Sequence, residues 1–230
     1  MTAASAFEAA AADFQPAMPT RGKRSLINLI DGNVLMKRGQ QNGLIMFQCG
    51  IGRLGFARGC VAYRGTEDVK ALSEEVLAKL DRAEFFPAKR AGKPVPVVLH
   101  GTVMYAVIDG KPRIRVFLNQ EDDELKRGGD YIAPQLILEQ GEKFRGFDWP
   151  AGAGGNSCTV TVAYDVAANG SLEGARMTYE SKPGLGFGSE VIRKTKDATF
   201  IPGFRNGKPA AIRFTMPFLW RGLRLPQWGT

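Results

Sequence analysis

The sequence predicts an α+β protein made of two repeated β-β-α-β units, with an extra β-containing connector between them. Three observations carry this reading. Hydrophobic residues alternate with period two in matching places, an apolar helical stripe follows each strand pair, and F-x-P-x-x-R-x-G-K-P occurs twice. The two copies of that motif begin at Phe85 and Phe200, 115 positions apart. Alternation marks strands with one buried face, and a stripe at three- and four-residue spacing marks an amphipathic helix.

The 115-residue offset runs without a gap from Gly43/Cys158 to Tyr105/Trp220 and gives twelve identities in 63 pairs. Unrelated stretches of this composition would give roughly four. Taken in order, Ile45, Phe47, Cys49 and Ile51 alternate in the first copy, and Val160, Val162, Tyr164 and Val166 in the second. Turns follow at Arg53-Leu54-Gly55 and Ala168-Asn169-Gly170, and Asn-Gly suits a hairpin because both residues tolerate positive φ. Second strands are expected over 57–63 and 172–179. Val69, Leu72, Val76 and Leu80 then share a helix face, with Thr66 or Asp68 as cap, as do Phe187, Val191, Ile192 and Thr195. Pro87 and Pro202 end these helices, since the residue before proline avoids helical geometry. A short extra strand is compatible with F-x-P, Arg-x-Gly-Lys-Pro makes a turn, and long final strands cover 95–106 and 210–220.

The expected organisation is a flexible lead over 1–24, a first unit over 25–110, a connector over 111–157 and a second unit over 158–230. In the connector, Ile114, Val116 and Leu118 suggest a strand, 130–138 is apolar enough to pack, and Ala151-Gly152-Ala153-Gly154-Gly155 reads as a linker.

Composition excludes several chemistries. A single His removes HExxH and two-His metal sites, and three Cys without CxxC spacing remove zinc ribbons and thioredoxin motifs. No run approaches the roughly 20 apolar residues of a spanning helix. The N-terminus lacks the order of a signal peptide. Gly50-Ile51-Gly52-Arg53-Leu54-Gly55 matches G-x-G-x-x-G but precedes a strand, where a dinucleotide site needs a helix. Gly184-Leu185-Gly186-Phe187-Gly188 lacks the Gly-Lys-Ser/Thr ending of a phosphate loop. Glu121-Asp122-Asp123-Glu124 does not alternate as calcium ligands do. His100 has no G-x-S-x-G or Cys context to serve, and it is expected to be solvent-facing or partly packed. No catalytic residue, metal or cofactor is expected.

The net charge of +8 offers a rival reading, a basic domain that binds nucleic acid or anionic lipid, with Arg21, Lys23, Arg24, Lys37 and Arg38 clustered early; against it, most Lys and Arg are spread along the chain and no RNP-like motif accompanies them, so nucleic acid is not the expected partner. Cys49 and Cys60 would face each other if a two-residue loop at Leu54-Gly55 made paired positions sum to 109. They are then either a disulfide or two small buried hydrophobes, and Cys158 is left over.

The second unit resembles the C-terminal domain of the TonB family. The resemblance rests on Thr159-Val160-Thr161-Val162-Ala163-Tyr164-Asp165-Val166, Asn169-Gly170-Ser171-Leu172, Ala198-Thr199-Phe200-Ile201-Pro202-Gly203 and Asn206-Gly207-Lys208-Pro209-Ala210-Ala211. These follow the family's order of strand, hairpin, helix, F-x-P and turn. The first unit is similar but departs at Gly50, where Asp165 stands in the second, and at its hairpin. The resemblance implies a non-catalytic, periplasmic or secreted protein. A cytoplasmic location stays open, because the N-terminus lacks the order of a signal peptide; the family's inner-membrane helix and Pro-rich spacer are not seen either, a departure that counts against the family's energy-transducing role. It also implies a protein or peptide partner, such as an outer-membrane transporter segment, added as a strand to the final strand: Ile212, Arg213, Phe214, Thr215, Met216 and Phe218, with 97–105 as the first-copy counterpart. Two other uses of that edge remain open: pairing with the other copy inside one chain as a structural pseudo-dimer, or pairing in a homo-oligomer.

Overall fold

The structure, a computed structural model, describes residues 13–119, 131–138 and 148–221. It is sheet-rich, with four helices among the described residues. The elements run β1 (Phe14–Gln15), β2 (Met18–Pro19), α1 (Leu26–Leu29), α2 (Gly32–Lys37), β3 (Gly43–Ile51), β4 (Ala57–Gly65) and α3 (Lys70–Leu80). Next come β5 (Phe85–Phe86), β6 (Lys89–Arg90), β7 (Lys93–Pro94), β8 (Val97–Ile108), β9 (Lys111–Phe117), β10 (Tyr131–Ile132) and β11 (Gln135–Ile137). The last are β12 (Cys158–Val166), β13 (Leu172–Glu180), α4 (Phe187–Thr195), β14 (Phe200–Ile201), β15 (Gly203–Arg205), β16 (Lys208–Ala210) and β17 (Ile212–Trp220).

Strands β3, β4 and β5 begin and end 115 positions before β12, β13 and β14, and β8 begins 115 before β17. The pairing repeats as well: Ile51 lies opposite Val97 and Val166 opposite Ile212. In both hairpins the register slips by one residue between the second and third pairs from the open end, at Met46/Phe47 and Thr161/Val162. Such bulges twist the ribbon and let each outer strand curl around its helix.

Each hairpin is latched to its F-x-P segment through a glycine. Gly55 has φ +81° and accepts a hydrogen bond from the Phe85 N–H on its carbonyl at 2.9 Å; Gly170 has φ +80° and does the same for Phe200 at 2.9 Å. A Cβ would stand 2.0 Å from the Phe85 carbonyl oxygen at Gly55, and 2.2 Å from that of Phe200 at Gly170. Left-handed backbone and absence of room thus both demand glycine here.

The helices bury the stripes read from sequence. Leu72, Val76 and Leu80 are fully buried, as are Phe187 and Val191, and Thr195 accepts the Tyr164 hydroxyl proton at 3.0 Å. The caps differ from expectation. Thr66 Oγ1 accepts from the Leu44 N–H, and the start of α3 is satisfied from a distance by Gln40, whose Oε1 accepts from the Leu72 N–H at 2.8 Å. On α4, Glu180 Oε1 accepts from the Gly188 N–H at 2.9 Å.

Residues 13–19 are not a flexible lead. They form a clasp on the first F-x-P segment, with β1 on β6 and β2 on β5. β10 and β11 clasp the second F-x-P segment in the same way, at an offset of 117: Phe14 and Tyr131 face Arg90 and Arg205, while Pro19 and Leu136 face Phe85 and Phe200. The clasps touch each other, for the Ala17 N–H donates to Gln135 Oε1 at 2.8 Å and Gln135 Nε2 donates to the Ala17 carbonyl at 2.9 Å.

Strand β11 also pairs with β8, joining β14-β11-β8-β3-β4 into one sheet, on which β9 sits at the far end of β8. The other large sheet is β13-β12-β17. Two cores result, one around α3 and one around α4, and Ile201 and Phe204 from the second F-x-P segment reach into the first. The final strands β8 and β17 do not pair with each other among the described residues.

Substituting Gly55 or Gly170 by Ala should destabilise the protein by more than about 2 kcal/mol in urea or guanidinium unfolding, because strain and a backbone clash add. Gly110→Ala is the control: its φ is +70° with nothing within 4 Å of the added Cβ, so only the roughly 1 kcal/mol conformational cost applies.

Candidate functional site

The strand singled out by the sequence, β17, is the last in the order β13-β12-β17 among the described residues. Its register with β12 is unbroken from Cys158↔Trp220 to Val166↔Ile212. Ile212, Phe214, Met216 and Phe218 point into the second core. Tyr164 is the hub there, its ring centroid 5.9 Å from those of Phe200 and Phe214 and 6.3 Å from that of Phe218. These four side chains fix the strand in place. Arg213 points to solvent and holds Asp165 bidentately, Nε to Oδ1 at 2.6 Å and Nη2 to Oδ2 at 2.9 Å. That guanidinium holds the Asp165 carboxyl below its usual range. Thr215 is half-buried and shares a small cavity with Met46, Tyr63 and Arg64 of the first half.

A cavity of about 440 Å³ is lined by Met216, Pro217, Phe218, Leu219, Trp220 and Arg221 on one side. Successive strand residues point to opposite faces, so a void touching six consecutive residues runs along the edge of the strand. Its opposite wall is Gln48, Val98, Leu136, Leu138 and Trp149. Trp149 is itself braced by Phe187, edge-on at 5.9 Å. Sequence reading missed this wall, because it gathers residues from β3, β8, β11 and the segment before β12. It also missed Pro217, which supplies no N–H and fits an edge strand better than an interior one.

His100 is 2% exposed, contrary to expectation. It lies on the back of β8, the face away from α3, and that face is covered: the His100 ring centroid is 6.3 Å from Phe214 and 6.2 Å from Tyr63. Its Nε2 lies 3.2 Å from Gln48 Oε1 and its Nδ1 has no partner. Burial without a counter-charge drives its pKa down to about 3, so the ring is neutral.

Cys49 and Cys60 are joined by a disulfide, and Cys158 is free and buried. The route to this pairing is not the expected two-residue loop. Beyond the Ile51↔Ala57 pair the Gly52 N–H donates to the Phe56 carbonyl at 3.0 Å and closes a three-residue loop, Arg53-Leu54-Gly55, and a bulge between Gln48↔Val61 and Gly50↔Arg58 sets Cys49 against both Gly59 and Cys60. Gly59 adopts φ +61° in that bulge. The G-x-G-x-x-G run lies in this hairpin, whereas Gly186, with φ +83°, stands as the N-cap of α4. Glu121, Asp122, Asp123 and Glu124 lie outside the described residues. Among the described residues no three His, Cys, Asp or Glu side chains gather as metal ligands, and no helix is long and apolar enough to cross a membrane.

No protein family matches the chain, and neither a curated protein nor a solved structure matches it.

Two outcomes follow. The folded-state pKa of His100 lies below its unfolded value near 6.5, so the unfolded chain takes up the proton first. Its contribution is present above pH 6.5 and is lost by about 1.4 kcal/mol per pH unit as pH falls from 6.5 toward 3. His100→Phe should flatten that part of the acid-unfolding profile relative to the parent. Reducing Cys49–Cys60, which closes an 11-residue separation, should lower unfolding stability by about 3 kcal/mol, measured with and without a reductant.

Proposed function

We propose that this chain is a non-catalytic, TonB-C-like protein of the cell envelope that binds a peptide or protein segment by strand addition to β17. The setting is TonB-dependent transport or another envelope process, and an outer-membrane transporter segment is one such partner. The observation that carries the reading is the terminal place of β17 in its sheet together with the cavity running along its edge. Strand addition uses the backbone for affinity and flanking pockets for selection. Here the walls are mainly apolar and aromatic, Val98, Leu136, Leu138 and Trp149, with Gln48 as a polar group among them.

The order strand, hairpin, helix, F-x-P, turn, strand supports the family resemblance, and it recurs in both halves. The disulfide supports an oxidising compartment such as the periplasm. Pro217 shapes the expected complex: a segment added there pairs on either side of residue 217 but meets no donor at it.

A structural scaffold is the second reading. What favours it is that β9 and β11 together occupy the outer side of β8 in place of any ligand. The two halves are thus joined through the connector, and not through their final strands.

Titrating the protein with extended apolar peptides, transporter-derived ones included, should shift the backbone amide resonances of Arg213 and Leu219 and slow their hydrogen exchange. A titration that leaves all of Ile212–Trp220 unmoved would sink the binding reading and leave the scaffold.

A further inference from the structure

Inside the chain, the second clasp has two neighbours. β11 grips β14 on one side and, on the other, pairs with the start of β8: Leu136↔Val98 and Ile137↔Val97, with the Leu138 N–H donating to the Pro96 carbonyl at 2.8 Å. The first clasp has the equivalent inner neighbour. β2 grips β5, and the Thr20 N–H donates to the Glu84 carbonyl at 3.1 Å, just as the Ile137 N–H donates to Thr199 at 3.0 Å. On its outer side, however, β2 pairs with no strand among the described residues. Met18, Pro19 and Thr20 border a cavity of about 600 Å³ there.

The burial of matching residues differs accordingly. Met18 is 36% exposed and Phe86 43%, whereas their counterparts Gln135 and Ile201 are 2% and 0% exposed. The first half thus displays, uncovered and apolar, the surface that the second half uses to dock. The second half displays the matching acceptor, because Ile212 and Arg213 stand where Val97 and Val98 stand in β8, and Ala211 and Arg213 are exposed.

We propose that a second copy of this chain fills the first clasp, the start of β17 of one molecule pairing antiparallel with residues 19–21 of the next. By analogy with β11 on β8, Pro19 lies opposite Arg213, Thr20 opposite Ile212, and the Arg21 N–H reaches the Ala211 carbonyl. This rests on the reading of β17 as an acceptor edge and names one partner for it. The contact is heterologous, so every molecule added presents a fresh clasp and a fresh edge, and growth need not stop at two. Pro19 replaces Leu136 and lacks an N–H, so the joint has one hydrogen bond fewer than its internal counterpart and forms only at high concentration.

The test is the mass of the full chain by sedimentation between about 10 µM and 1 mM. The expected result is a rise from 25.0 kDa by at least about two-fold, continuing past the dimer. The double variant Met18→Asp/Phe86→Asp blocks the clasp, and Arg213→Pro blocks the edge. Residue 213 is four positions from Pro217, so its N–H points to the same side and the β12 ladder is spared. Each variant alone should stay at the monomer mass, and their equimolar mixture should form a dimer and nothing larger. A parent that stays monomeric at the top concentration overturns the proposal, as does a dimer that stops at two or is unaffected by the clasp variant. If Arg213→Pro fails to fold, the parent and clasp-variant series decide. The clasp variant also separates the two readings. If it stays monomeric and still shows peptide-induced shifts in β17, strand addition stands with or without assembly; if the parent neither assembles nor binds peptide, both readings fall.

Discussion

Three residues of the connector, Gln135–Ile137, hold the molecule together. Their strand is bonded to the first half through β8 and to the second through β14, so neither half can move away without breaking a β-ladder. The Gln135 side chain adds a two-way hydrogen bond to the Ala17 backbone, in a site where both residues are buried. Buried amides left without partners would each cost about 1–3 kcal/mol, so this pair locks position more firmly than its two bonds suggest. Everything proposed about β17 depends on this joint, because Leu136 and Leu138 also wall the groove beside it.

Much of the architecture was legible because period-two and helical stripes report burial directly. Ile45, Phe47, Cys49 and Ile51, and Val160, Val162, Tyr164 and Val166, do face the two cores. The clasps escaped notice for two physical reasons. Each strand is only two or three residues long, too short for a period, and the second clasp sits at an offset of 117 where the main alignment runs at 115. Helices α1 and α2 are also too short to show a stripe. His100 was misjudged because its burial comes from the far half of the chain, through Phe214, and no local pattern announces that. The Cys49–Cys60 juxtaposition was reached in the sequence by assuming the wrong loop; a three-residue loop and a compensating bulge arrive at nearly the same register.

The edge itself was legible as a final strand, but its surroundings were not. The repeat placed a final strand at Ile212–Trp220 and the family resemblance gave it the part of an edge, while the wall opposite was assembled from β3, β8, β11 and Trp149 by folding alone. The strand's own apolar side chains turned out to anchor it from beneath, which makes the edge stiff. A stiff edge loses little conformational freedom when a segment adds to it, and that favours binding by a short sequence.

The two cores are fastened differently at one shared position. Cys49 and Cys60 correspond to Tyr164 and Ala175, so a covalent bond in one half takes the place of an aromatic hub in the other. The halves therefore answer to different stresses. The first is sensitive to the electron supply of its surroundings, and the second to heat and to any solvent that loosens ring packing. Because Ile201 and Phe204 of the second half lie inside the first core, a stress that loosens either fastening reaches the other half as well.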